Sequence, residues 1–135
     1  MWYVDTNFWY ALVNARDRWH TSAALAHEAR EGDTCSSSFV VAEVVSLLMK
    51  RAGKHSATTL LRTIEGDPSC EIIHPTPAQY VRARDLFARH PDWDFDLVDA
   101  ISFIVMQDRG IERALTFDHH FEQMGFTTAP RDSAD

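Results

Sequence analysis

The sequence predicts an α/β fold, with a mainly parallel sheet of four to five strands covered by helices on both faces. Three features carry that prediction. Short apolar segments alternate with longer helix-patterned ones, glycine and proline mark most of the joints, and several apolar segments end on an acid. In such folds ligands collect just beyond the carboxyl ends of the strands, so the acids stand where chemistry is expected.

Trp2-Tyr-Val-Asp5 is rich in aromatic and β-branched residues and reads as a short buried strand. Thr6 or Asn7 then serves as the N-cap of a helix running to about Leu12–Ala15. Thr21 to Arg30 is an alanine-rich amphipathic helix stopped by Gly32. Asp33 to Ser37 gives a second strand. From Phe39 to Lys50 apolar residues occur all round the helix, which predicts burial on most sides. Gly53 ends that helix, and another covers about Ser56 to Ile64 before the Gly66-Asp67-Pro68 turn.

Cys70 to Ile73 is the third strand. A helix from about Pro77 to Arg89 follows, with proline tolerated in its first turn. Asp96 to Arg109 carries the fullest set of helix signals: Asp96 as cap, Asp99 three residues on as in a capping box, and Gly110 as stop. Ala114 to Phe117 and Phe126 to Ala129 supply the last two strands. Residues 1–129 therefore form one domain, and 130–135 a polar, frayed tail.

At 135 residues the chain can bury a core without help from disulfides, and 45% apolar composition fits a globular protein. No apolar run reaches the roughly 18 to 20 residues that span a bilayer, and the N-terminus has no signal-peptide pattern, so a cytoplasmic protein is expected. Cys35 and Cys70 lack any metal-binding spacing and read as reduced, buried thiols. Twenty acids against thirteen cations give a net charge of −7, the wrong sign for gripping a phosphate backbone unaided. Only Lys50 and Lys54 are lysines; the other cations are arginines. A bound cation, or a basic partner, would reconcile this charge with a polyanion.

Four acids stand in unusual surroundings. Asp5 closes the first strand. Glu43 interrupts Val40-Val-Ala-Glu-Val-Val-Ser-Leu-Leu48, Asp99 lies in Leu97-Val-Asp-Ala-Ile-Ser-Phe-Ile-Val-Met106, and Asp118 follows Ala114-Leu-Thr-Phe. A buried, unpartnered carboxylate costs several kcal/mol even after relaxation. These segments hold no cation before Lys50 and Arg109, so a shared divalent ion is the simplest partner. With no imidazole or thiolate set on offer, oxygen ligation points to Mg2+ or Mn2+. Taken one by one, Asp5, Asp99 and Asp118 also suit turns or helix caps; together they make a site.

These residues resemble the PIN-domain nucleases and, within them, the VapC-type toxins of bacterial toxin–antitoxin pairs. Tyr3-Val-Asp5-Thr-Asn7 is similar to the family's opening, and Val41-Ala-Glu43-Val44 to its second acidic motif. Leu97-Val-Asp99-Ala-Ile-Ser-Phe103 resembles the third, and Leu115-Thr-Phe-Asp118-His-His-Phe121 the fourth. The resemblance spans nearly the whole chain. It implies a PIN-like fold, Mg2+ or Mn2+, RNA as substrate, endonucleolytic cleavage, a homodimer and an antitoxin partner with a basic or amphipathic inhibitory segment. It also implies that Asp5, Glu43, Asp99 and Asp118 are catalytic, metal-binding acids, with Asp5 and Asp99 the most direct ligands and Asn7 and Thr116 in support. Val98 and Asp96 depart from common family residues; Asp96 suits either a cap or an extra ligand.

His119-His120 invites a metal or general-base reading, but partly exposed structure is the preferred one, since adjacent side chains diverge on a helix. Arg16, Arg18, Lys50, Arg51 and Lys54 read by default as solvated charge, with an RNA-facing edge as the alternative; Trp2, Phe8, Trp9 and Trp19 suit base stacking but read rather as core or as a partner-binding patch. A receiver module would need a lysine late in the chain, which is missing after Lys54. The remaining alternatives are an inactive PIN-like RNA-binding or interaction module and a housekeeping RNA-processing nuclease.

Overall fold

The computed structural model describes residues 1–131. The expected tail at 130–135 thus falls largely outside the described residues. In chain order the elements are β1 (Trp2–Val4), α1 (Thr6–Val13), α2 (His20–Ala29), β2 (Thr34–Ser37), α3 (Ser38–Ala52), α4 (Lys54–Gly66) and β3 (Cys70–Ile73). They continue with α5 (Pro77–Arg89), α6 (Leu97–Arg109), β4 (Arg113–Leu115), α7 (His120–Gln123) and β5 (Thr127–Ala129). No helix among the described residues is long and apolar enough to cross a membrane.

All five strands are parallel, in the order β3-β2-β1-β4-β5. Successive strand residues point to opposite faces, yet Tyr3 and Val4 are both fully buried, as are all four residues of β2. Helices therefore cover both sides of the sheet, as the near-continuous apolar strand segments predict. The chain moves outward from β1 through β2 to β3, then returns to place β4 on the other side of β1. That reversal opens a crevice between the carboxyl ends of β1 and β4, the position at which such sheets bind ligands.

Two local expectations change, and one is sharpened. The cap of α1 is Asp5 itself rather than Thr6 or Asn7, and its side chain makes no capping hydrogen bond. Helix α3 buries Val40, Val41, Val44 and Leu48, whereas Phe39 and Met49 are each 37% exposed. It packs against α1, α4, β2 and α6, so burial on most sides holds, and the solvent-facing stripe is the one that carries Phe39 and Met49. Strand β4 ends at Leu115 because the next amides turn away from the β1 ladder. Thr116 donates to the Ala129 carbonyl at 3.0 Å and Phe117 to Asn7 Oδ1 at 3.2 Å.

Helix α6 begins as its sequence signals require. Asp96 Oδ1 accepts from the Asp99 amide at 2.8 Å, Asp99 Oδ2 accepts from the Asp96 amide at 3.1 Å, and Gly110 closes the helix at φ 66°. The helix is tied to the central strand by Tyr3, whose hydroxyl lies 2.7 Å from Ser102 Oγ, while Ser102 donates to the Val98 carbonyl. On its other flank, Phe103 meets Phe95 and Phe121 edge-on, with ring centroids 5.5 and 4.9 Å apart. These contacts fix α6 between β1 and α7, and with it the position of Asp99.

Candidate metal centre

Asp5, Glu43, Asp99 and Asp118 come from four elements separated widely in sequence, and all four line one cavity of about 260 Å³. Asp17 and Asp96 line it too, and no lysine, arginine or histidine does. The four predicted acids are thus brought together, without a cationic partner among the lining residues.

Each acid is aimed by a specific neighbour. Asp5 is 3% exposed, and its Oδ2 accepts from Thr116 Oγ1 at 3.0 Å. The same Thr116 oxygen accepts from the Asp118 amide at 2.9 Å, so one hydroxyl links the ends of β1 and β4. Asn7 braces that turn through the Phe117 amide. Glu43, half-buried on α3, accepts from Thr6 Oγ1 at 2.6 Å. Asp99 faces the cavity from the first turn of α6 while its Oδ2 closes the capping box. Asp96 holds that helix end through its own Oδ1 and also reaches the cavity wall.

The electrostatic result follows from the crowding. Burial pushes the Asp5 carboxyl up to about 7, with smaller upward contributions from Asp118 and Glu43, against hydrogen bonds from the Thr6 amide and Thr116. Burial likewise pushes Asp99 up to about 8, followed by repulsion from Asp5, Asp96 and Asp118. Asp5 and Asp99, both resisting ionisation on one acid-lined cavity wall, form a strong attractor for a cation.

One grouping of ligand atoms close enough to share an ion differs from the predicted foursome. Asp99, Asp118 and His120 each present one such atom, all within 4.8 Å of one another. The expectation for His119-His120 therefore needs correction. His119 is exposed, but His120 is buried, and the two rings do not diverge: their centroids are 4.2 Å apart. Helix α7 has only four residues, too few for helical-face arguments to hold, and the packing of Phe95 against His120 turns the imidazole inward.

Sequence reasoning also missed Asp17 as a wall of the cavity and assigned Trp19 to core or partner contact. Asp17 Oδ1 accepts from the Trp19 amide at 2.8 Å, forming a tight turn between α1 and α2. Trp19 stacks on Phe117 with centroids 4.6 Å apart and planes 6° apart, and Phe117 stacks in turn on Phe8. The Arg18 guanidinium lies over the outer face of the indole, 4.1 Å from its centroid. A Trp two residues after an Asp in a polar loop was the available signal, but only tertiary stacking shows where it points.

Comparison with known proteins agrees with this arrangement. The PIN domain family model matches residues 2–127. The 23S rRNA-specific endonuclease VapC20 of Mycobacterium tuberculosis is 34% identical over 126 residues, covering 93% of this chain and 95% of that protein. The crystal structure of M. tuberculosis VapC20, described as a sarcin–ricin loop cleaving toxin, superposes with a TM-score of 0.89 at 31% identity, covering 94% of this chain and 97% of that one. VapBC2 from Rickettsia felis, bound to a DNA fragment from its promoter, shares the fold at a TM-score of 0.66 and 15% identity, over 94% of this chain and 96% of that one. The parallel five-stranded sheet, the acid-lined crevice at its reversal point and this full-length similarity establish that the chain belongs to the PIN-domain family, as a nuclease of the VapC type.

Proposed function

We propose that this protein is an Mg2+- or Mn2+-dependent endoribonuclease acting in the cytoplasm as the toxin of a type II toxin–antitoxin pair, with the sarcin–ricin loop of 23S rRNA as its substrate. The observation that carries the chemistry is the cavity itself: six carboxylates and no cation among its lining residues, with Asp5 and Asp99 both resisting ionisation. The substrate rests on the full-length similarity to VapC20, whose name and crystal structure description specify that RNA.

The donor set fits the ion. Carboxylate oxygens in a crevice open to water suit hard divalent cations that keep several waters. Asp5 and Asp99 would be the most direct ligands, with Glu43 and Asp118 completing the site. A cation there would neutralise charge developing on the phosphodiester and acidify the attacking water. The chain's own part is orientation. Thr116 sets the Asp5 carboxylate and the turn that carries Asp118, Thr6 sets Glu43, and Asn7 holds the turn against α1. The family resemblance extends the proposal to a homodimer and to an antitoxin whose basic segment would complement the acidic crevice.

A sarcin–ricin hairpin incubated with the purified protein tests this. Cleavage is expected with Mg2+ or Mn2+ and not with EDTA, and Asp5→Asn or Asp99→Asn should reduce it by at least about 100-fold with the circular dichroism spectrum unchanged. Cleavage in EDTA, or full activity in both variants, would overturn the mechanism. Cleavage of unrelated RNA in preference to the hairpin would overturn the substrate.

A further inference from the structure

We propose that His120 supplies a nitrogen ligand to a divalent cation held with Asp99 and Asp118, giving the centre a mixed oxygen–nitrogen position that takes Mn2+ or a later first-row metal in preference to Mg2+. The inference rests on the metal-nuclease reading of the same crevice and adds to it a residue and a metal preference.

The geometry around the imidazole carries the argument. His120 is only 7% exposed, so both ring nitrogens need partners within the protein or its ligands. Nε2 has one in Asp94, on the loop before α6. Nδ1 has none: it lies 2.6 Å from Asp118 Oδ1, but too far off the ring's N–H direction for a hydrogen bond. Asp118 Oδ1 is instead engaged by the His120 backbone amide at 2.9 Å. A buried imidazole that gives one N–H to a carboxylate and leaves its other nitrogen unused beside two more carboxylates has the arrangement of a metal-ligating histidine. In such ligands the outer carboxylate fixes the tautomer, so that the inner nitrogen offers its lone pair to the cation.

The spacing permits it. The ligand atoms of Asp99, Asp118 and His120 lie within 4.8 Å of one another, a spread one cation can draw together. Imidazole is a poor partner for Mg2+, which keeps to oxygen, and a better one for transition metals. Asp94 is an exposed residue that does not line the crevice, so its hydrogen bond to Nε2 is the contact that orients the ring. A second grouping, Asp94 with His119 and His120, shares the same imidazole on its outer side. The two groupings differ in whether His119 takes part.

Pulsed electron paramagnetic resonance on the Mn2+-loaded protein separates them. Nitrogen modulation of the Mn2+ signal is expected in the wild type, should change to the 15N pattern when histidine is 15N-labelled, and should persist in His119→Gln. It should vanish in His120→Gln, and the Mn2+-over-Mg2+ binding ratio measured by calorimetry should fall by about 10-fold or more in Asp94→Asn. Because the labelling arm uses the unmutated chain, failure of a variant to fold leaves the test intact. Mn2+ binding with no nitrogen modulation would overturn the inference while leaving the nuclease reading standing. Loss of modulation in His119→Gln would overturn it in favour of the outer grouping. No Mn2+ binding at all would sink both.

Discussion

Two sets of carboxylates in this protein behave in opposite ways. On the outside, Glu71 faces Arg109 at 2.9 Å and Asp108 faces Arg82 at 2.7 Å, and in both cases the arginine hydrogen bond holds the carboxyl below its ordinary range. In the crevice, Asp5 and Asp99 are pushed up to about 7 and about 8, chiefly by burial and further by neighbouring acids. The chain has thirteen cations to deploy and places none on the cavity wall. The contrast teaches that charge pairing is used where it does little for stability and withheld where it would quench the site. The crevice stays unsatisfied until something cationic enters it.

The largest effect is expected in stability against pH without divalent metal. Asp5 and Asp99 keep their protons in the folded chain over a range where the unfolded chain, near 3.8, has lost them. The folded state therefore binds more protons there, and stability should fall as pH rises from about 4 to about 8. Urea unfolding in EDTA should show this decline, with Asp5→Asn flattening it and saturating Mn2+ lifting the alkaline end. At a hundred times its dissociation constant a ligand adds about 2.7 kcal/mol. A flat metal-free profile would mean that the crevice is not under electrostatic strain.

A smaller effect is expected at the hinge between the two strand ends. Thr116→Val removes the hydroxyl that joins Asp5 to the Asp118 amide. Cleavage should drop by roughly 10- to 100-fold, as for groups that orient metal ligands, and stability by about 1 to 2 kcal/mol for the broken buried bonds. Retained activity would show that Asp5 and Asp118 are aimed without it. Smallest of all, Arg109→Ala should change stability by at most about 0.5 kcal/mol, because its ion pair with Glu71 is half exposed and screened. RNA cleavage should be unaffected. A large loss there would show that the outer pairs matter more than their exposure allows.

Much of this was legible in the sequence, for identifiable reasons. Asp5, Glu43, Asp99 and Asp118 stood out because their immediate neighbours are apolar, and a strand or buried helix leaves an acid few local alternatives. The capping box at Asp96 and Asp99 is a local pattern and was read as such. Trp19 and His120 were harder. Their positions depend on partners far away in the chain: Phe117 beneath the indole, and Asp94 with Phe95 around the imidazole. Helix α3 was legible as buried on most sides, but apolar composition all round does not reveal which stripe faces solvent, and Phe39 and Met49 lie on it.

The pairing of β1 with β4 has a consequence in time as well as space. Asp5 is made more than a hundred residues before Thr116 and Asp118, which complete its surroundings. Until β4 has been made and has docked beside β1, the acids at the two strand ends cannot meet. A growing polypeptide therefore carries no assembled crevice before β4 is made, and any chain truncated before β4 leaves it unbuilt.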